Sequence, residues 1–218
     1  YAPSIRREYN EMVRLRRVWA PHIRRCRPLI PLFRQVALAM GYPTALVYGF
    51  SLHESHCDTT AVSYDDGVGA FQLTHVNWKL HVMPLERIVR RSIDWQHSSL
   101  DAALVSMMHL AVSEWYFANR GLGILGYNMS FGAIRGYIAR WRASNPGVQD
   151  TPTLGEITPL MSCVVGGDSP RCPRDYVARV LAAMLYAHRE LRHRRQVPLP
   201  AFFRVSSLPG ANPANDPR

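Results

Sequence analysis

Apolar residues recur at intervals of three and four along nearly the whole chain, and no strict alternation lasts long enough to build a sheet. The pattern predicts an all-α fold. Within residues 6 to 25, Tyr9, Met12, Leu15 and Trp19 fall at roughly helical spacing among arginines, which reads either as a basic amphipathic arm laid on the body or as a solvated charged face. Pro31 can open a short helix through Leu32, Val36 and Met40 that Gly41 closes, and Pro43 and Thr44 start another running toward Glu54. From Cys57 to Gly69 the composition is that of a loop, with two threonines, Ser63, the pair Asp65-Asp66 and two glycines, and this loop should wrap around Glu54. Ser98 with Asp101 three residues on predicts a capping box, and Leu104, Met108, Ala111 and Trp115 then mark the buried stripe of the longest helix. A further helix from Phe131 to about Ala143 presents Ile134, Ile138 and Trp141. The last begins after Pro173, turns Tyr176, Val177, Val180, Met184 and Leu191 inward, and ends on the basic run Arg189 to Arg195, which complements the helix dipole.

Residues 145 to 172 read as a loop that a Cys163–Cys172 disulfide could close, a gain of roughly 2 to 3 kcal/mol by chain entropy. From Val197 onward five prolines interrupt a polar tail, which reads as loosely packed or disordered. The expected organisation is a basic helical arm over 1–29, a body over 30–190 and a Pro-rich tail over 191–218, with no internal repeat.

Composition narrows the partners. The 218 residues are 47% hydrophobic and 10% aromatic, enough for one ordered domain. The formal charge of +10 is carried almost wholly by arginine, since Lys79 is the single lysine, so the surface should attract polyanions: nucleic acid, anionic membrane surfaces or bacterial wall polymers. No apolar run is long enough to span a membrane, and the start at Tyr1 leaves room for a signal or anchor upstream. Cys26, Cys57, Cys163 and Cys172 form no CxxC pair, which favours two disulfides and an exported protein. Four cysteines allow three connectivities, and buried free thiols are the alternative. Our pairing joins Cys57 to Cys26.

The stretch SLHESHCDTT crowds His53, Glu54, His56, Cys57 and Asp58 into six positions. A helical zinc site of the HExxH kind needs histidines four apart, whereas His53 and His56 are three apart, so no metal is expected. His53 and Cys57 have the right spacing, but Thr59 and Thr60 signal that the helix is ending. Glu54 then stands between an apolar helix and a polar loop, where partial desolvation raises a carboxyl's pKa and suits it to general-acid work on a glycosidic bond. The alternative is a helix cap or a surface charge.

The string ESHCDTTAVSYDDGVGAFQLT resembles the hallmark of the lytic transglycosylases with a goose-lysozyme-like (SLT) fold, with Glu54-Ser55, Ala61, Ser63, Gly69, Gln72 and Leu73 at the family's offsets. GYNMSFGAI is similar to a second family element, giving Tyr127, Asn128 and Gly132, and PRDYVARVLA to a third, with Arg174, Tyr176 and Val177 in register. Together they cover roughly residues 30 to 187, and GYPTALVYGFSLHES with IDWQHSSLDAA most resembles the membrane-bound D subgroup. Departures are Ser130 for a glycine, Cys172 where many relatives carry a second glutamate, and Asp66-Gly67 for a small-residue pair. The resemblance implies a lysozyme-like helical catalytic domain that cleaves the MurNAc–GlcNAc bond of peptidoglycan with one carboxyl and no cofactor. Glu54 would be acid and then base; Tyr127 would hydrogen-bond Glu54; Ser63 and Gln72 would address the sugar, with Asn128 bracing the Tyr127 turn and Tyr176 among the substrate contacts. It further implies a periplasmic or secreted monomer whose partner is the glycan strand, associated peripherally with the anionic envelope. Nucleic-acid binding lacks a supporting motif. Asp58, Asp65 and Asp66 keep an inverting, lysozyme-type hydrolase open, if one of them lies far enough from Glu54 to hold a water. A basic module that binds without catalysis is the rival from another class.

Overall fold

The structure is a computed structural model that describes residues 2–161 and 172–193. Cys163, the end of the basic run beyond His193 and the Pro-rich tail lie outside the described residues. Eleven helices appear among the described residues, with two isolated bridges, Val62 to Val68 and Val68 to Leu73, in place of a sheet. In order they are α1 (Ala2–Arg14), α2 (Arg16–Cys26), α3 (Ile30–Met40), α4 (Thr44–Ser55), the short α5 (His75–Asn77) and α6 (Met83–Val89) flanking a π-helical turn, α7 (Ser99–Phe117), α8 (Arg120–Asn128), α9 (Phe131–Ser144), α10 (Leu154–Ile157) and α11 (Pro173–His193).

Helix α4 is the axis of the core. Every residue from Ala45 to Leu52 is buried, so it is apolar all round, as a fully enclosed helix must be. It packs against α11, α3 and α2, and Gly49 lets α11 come close: a β-carbon there would stand 2.6 Å from the Cα of Met184. The close, antiparallel approach carries the first turns of α11 past the end of α4. That end is abrupt. His56 (φ 58°) and Cys57 (φ 60°) are both left-handed, and their N–H groups bond back to Leu52 and Ser51, satisfying carbonyls the helix would otherwise leave open. The pairing of Cys57 with Cys26 is present, at a Cα separation of 5.1 Å, and fixes the end of α2 to this break. Upstream, Gly41 closes α3 in the left-handed region (φ 70°), as the sequence predicts.

Three expectations need correction. The longest helix is α11, with 21 residues against 19 in α7. The buried face of α7 is not the Leu104–Trp115 stripe: Trp115 is 78% exposed and Leu104, Met108 and Ala111 are half-buried, while Ala103, Ser106, Met107, His109, Leu110 and Ser113 face inward. The interior side is chosen for close approach to α8, so small and hydroxyl side chains line it, and Ser106 and Ser113 return their protons to the Ala102 and His109 carbonyls. Periodicity of large apolar residues cannot see such a face. Ser98 does cap α7 by accepting the Asp101 N–H at 3.2 Å, but the capping box is half made, because the Asp101 carboxylate turns to Arg91 and the Asp94 N–H instead.

The arm lies on the body. Met12 and Ile23 are buried, Tyr9, Val13 and Trp19 pack against the core, and α1 runs along α11. The inward faces of α9 and α11 are those expected, with Ile134, Trp141, Tyr176, Val177, Val180, Met184 and Leu191 buried.

Candidate functional site

Glu54 sits in the last turn of α4, two residues before the left-handed break, with its side chain turned in beneath α11. Burial pushes its carboxyl up to about 7, against the pull of a hydrogen bond from the Tyr176 hydroxyl, and the nearby charge of Asp65 adds to the rise. A carboxyl so placed holds its proton near neutral pH and gives it up to a better acceptor. Beside it His53 packs edge-on to the Tyr176 ring, centroids 5.1 Å apart. Burial and the charge of Arg179 drive His53 down to about 3, so it stays neutral and adds no cation to the site.

The loop after α4 is held by its own hydrogen bonds. Ser55 donates to the Ala70 carbonyl at 3.0 Å. Asp58 accepts from the Thr60 N–H and hydroxyl and from Arg25 at 3.1 Å; those bonds hold it below the usual carboxylate range. Asp66 takes a left-handed turn conformation (φ 60°), in keeping with the turn composition of Asp65-Asp66-Gly67. Ser63 accepts the Gly67 N–H at 2.9 Å and contacts the Asp65 carboxylate. Gln72, left-handed itself (φ 50°), donates to the carbonyls of Gly69 at 2.8 Å and Ala61 at 3.4 Å. Both Ser63 and Gln72 are therefore engaged in shaping the loop.

The tyrosine at Glu54 is not the one expected there. Tyr127 does not hydrogen-bond Glu54; its hydroxyl lies 2.8 Å from the Phe71 carbonyl and 2.9 Å from Ser106 Oγ, which ties α8 to the loop and to α7. Tyr176 makes the bond to Glu54 in its place. The reason is the depth of Ser106, a small residue on the inner face of α7 that leaves a hydroxyl where Tyr127 can reach it, while the close α4–α11 packing brings Tyr176 to the carboxyl. Tyr127 still stands within electrostatic reach, since the Glu54 charge and burial both push its phenol well above 10. Asn128 ends α8 and is exposed. Sequence reasoning missed the polar layer behind Tyr127, where His109 bridges His81 Nε2 and the Gly126 carbonyl (3.1 Å) and stacks against Phe131. Its only signal was a histidine inside an otherwise apolar helix. Among the described residues no group of three or more His, Cys, Asp and Glu side chains is placed to hold a metal, and no helix is long and apolar enough to cross a membrane.

No protein family matches the sequence, and no curated protein is similar to it at a meaningful level. A solved structure is. The chain is similar to the X-ray structure of an inactive glutamate-to-glutamine mutant of the lytic transglycosylase Slt from Pseudomonas aeruginosa, with a TM-score of 0.55 at 16% identity, covering 74% of this chain and 24% of that one. The fold is thus the all-α, lysozyme-like one, and the chain spans about a quarter of the neighbour's length.

Proposed function

We propose that this chain is a peptidoglycan lytic transglycosylase that cleaves the β-1,4 bond between N-acetylmuramic acid and N-acetylglucosamine with Glu54 as its one catalytic carboxyl. The observation that carries the reading is the state of Glu54: half-buried at the break of α4, faced by a phenol, its carboxyl pushed up to about 7 by desolvation. Protonated, it donates to the glycosidic oxygen. As carboxylate it takes the proton of the sugar's own C6 hydroxyl while that oxygen attacks C1, and the product is a 1,6-anhydro ring with no water consumed. A tethered hydroxyl in near-attack geometry replaces the second carboxylate of ordinary glycoside hydrolysis. The Tyr176 bond strengthens as the carboxylate forms, which lowers the cost of the first step and orients the base for the second.

Within this reading Tyr127 braces the Phe71 backbone, Ser63 and Gln72 hold the loop in the shape that receives the sugar, and Asn128 and Tyr176 border the glycan. The finer likeness to the membrane-bound D subgroup, the periplasmic or secreted location, the monomeric state and peripheral association with anionic envelope material belong to the same proposal. The test is digestion of purified sacculi by the native chain and by Glu54→Gln, with mass analysis: anhydro fragments from the first and none from the second are expected. Fragments heavier by one water would assign a lysozyme-type hydrolase instead. Asp65 is the observation that favours that second reading, because its charge acts on Glu54, and Asp65→Asn would then be as inactive as Glu54→Gln.

A further inference from the structure

The arm carries charge that the chemistry at Glu54 does not use. Residues 2–27 hold eight arginines against two glutamates, and the arginines repeat one spacing on both helices: Arg6, Arg7 and Arg14 on α1, Arg16, Arg17 and Arg24 on α2. At 100° per residue, positions i, i+1 and i+8 share one side of a helix. These six, with Arg25 and Arg27, are exposed. The apolar residues between them, Tyr9, Met12, Val13, Trp19 and Ile23, pack on the body. Arg7, Arg14 and Arg25 have carboxylate partners in Glu8, Glu11 and Asp58. Arg6, Arg16, Arg17, Arg24 and Arg27 form no ion pair among the described residues.

The arm is also fixed relative to Glu54. The Cys26–Cys57 disulfide joins it three residues past the carboxyl, Arg25 pairs with Asp58 at 3.1 Å, and the His22 and His56 rings stack at 4.1 Å with Trp19 edge-on to both. A polymer lying on the arm is therefore held in register with the acid.

We infer that the outer face of α1–α2 is a second contact surface for the wall glycan itself, taking the carboxylates that its peptide stems and lactyl groups carry along the strand. This rests on the proposed function, which makes that polymer the substrate. Guanidinium forks match carboxylates two bonds at a time, and a row of them on a rigid helix matches a row of anions on a strand. A bilayer fits less well, because a helix that adsorbs to lipid buries its apolar face there, and here that face is already covered by the protein.

The experiment measures binding of the Glu54→Gln chain, which leaves the polymer intact, to purified sacculi at low and high salt. Arg6→Gln/Arg17→Gln/Arg24→Gln in that background should bind roughly tenfold more weakly at low salt, with a flatter salt dependence. Sacculi whose carboxyls have been amidated should show the same loss with the arginines intact. With Glu54 present, the triple variant should raise KM on sacculi and leave kcat unchanged on a short peptide-free glycan. Should the triple variant misfold by circular dichroism, Arg16→Gln/Arg27→Gln takes its place. Binding within twofold of the parent, equal binding to amidated sacculi, or tighter binding to anionic phospholipid vesicles or duplex DNA than to sacculi would each overturn the inference. Weaker sacculus binding by the arginine variants, together with no anhydro product from the native chain, would instead leave the arm standing and sink the assigned reaction.

Discussion

Glu54 and Glu114 are two glutamates drawn inside the same helical body, each reached by a tyrosine hydroxyl, and they are left in different states. Burial raises both carboxyls. At Glu114 the Arg120 guanidinium, 3.1 Å away, pulls back against burial, and Tyr42 adds a second bond at 3.2 Å. At Glu54 no guanidinium pairs with the carboxyl among the described residues: Arg179 acts on Tyr176 and His53, His53 is neutral, and Asp65 pushes the same way as burial. One arginine separates a structural ion pair from a carboxyl that keeps its proton to about 7. A buried glutamate is thus no signature of catalysis by itself; the absence of a compensating cation is what makes one chemically useful.

The contrast is broken most decisively by Glu54→Gln against Glu114→Gln. The first should lower glycan cleavage by roughly a thousandfold or more, since both proton transfers pass through that group, whereas the second should leave turnover within about threefold, read by fragment release from sacculi. Stability should run the opposite way. A carboxyl whose folded pKa lies above its unfolded value binds more protons when folded, so its contribution is present below 4.5 and is lost as pH rises to about 7. Glu54→Gln should therefore be more stable than the native chain at pH 8, by up to about 3 kcal/mol, and indistinguishable from it at pH 4, as urea titrations at the two pH values will show. Equal stability at pH 8 would mean the carboxyl is not desolvated.

Tyr176→Phe removes the bond that favours the carboxylate. Activity should fall roughly tenfold, and its basic limb should move to higher pH, because the lost bond had been holding the pKa down. Tyr42→Phe, the matching change at Glu114, should leave the profile where it is. The smallest effect is expected from Asp65→Asn: with that charge gone the basic limb should shift slightly to lower pH with little loss at the optimum. A loss as deep as that of Glu54→Gln would convert the assignment to an inverting hydrolase.

Much of this molecule could be read before its structure was known. The α3–Gly41–α4 passage, the break after Glu54 and the inward faces of α9 and α11 follow from local signals: a proline at a first turn, a glycine past a last one, helical spacing of apolar residues; the Cys26–Cys57 pair, 31 residues apart with two helices between, was one of three connectivities the sequence left open. The candidate acid was legible as a glutamate where an apolar helix runs into a polar loop, but the desolvation that raises its carboxyl comes from α11 packed against that helix end. The face of α7 was not legible, because small and polar residues such as Ala103, Ser106, His109 and Ser113 stand among its buried Val105, Met107 and Leu110, and their value lies in what they let approach.

Which tyrosine touches Glu54 was beyond the sequence as well. Tyr127 and Tyr176 both stand at positions matching family elements, and nothing local distinguishes them. Gly49 decides, by letting α11 lie on α4, and Ser106 decides, by offering Tyr127 another partner. Each of those residues acts through a neighbour more than 20 positions away. Helix ends and amphipathic faces are set by interactions within a few residues, so the chain determines them alone; hydrogen-bond partners across helices depend on packing distances that only the assembled core fixes.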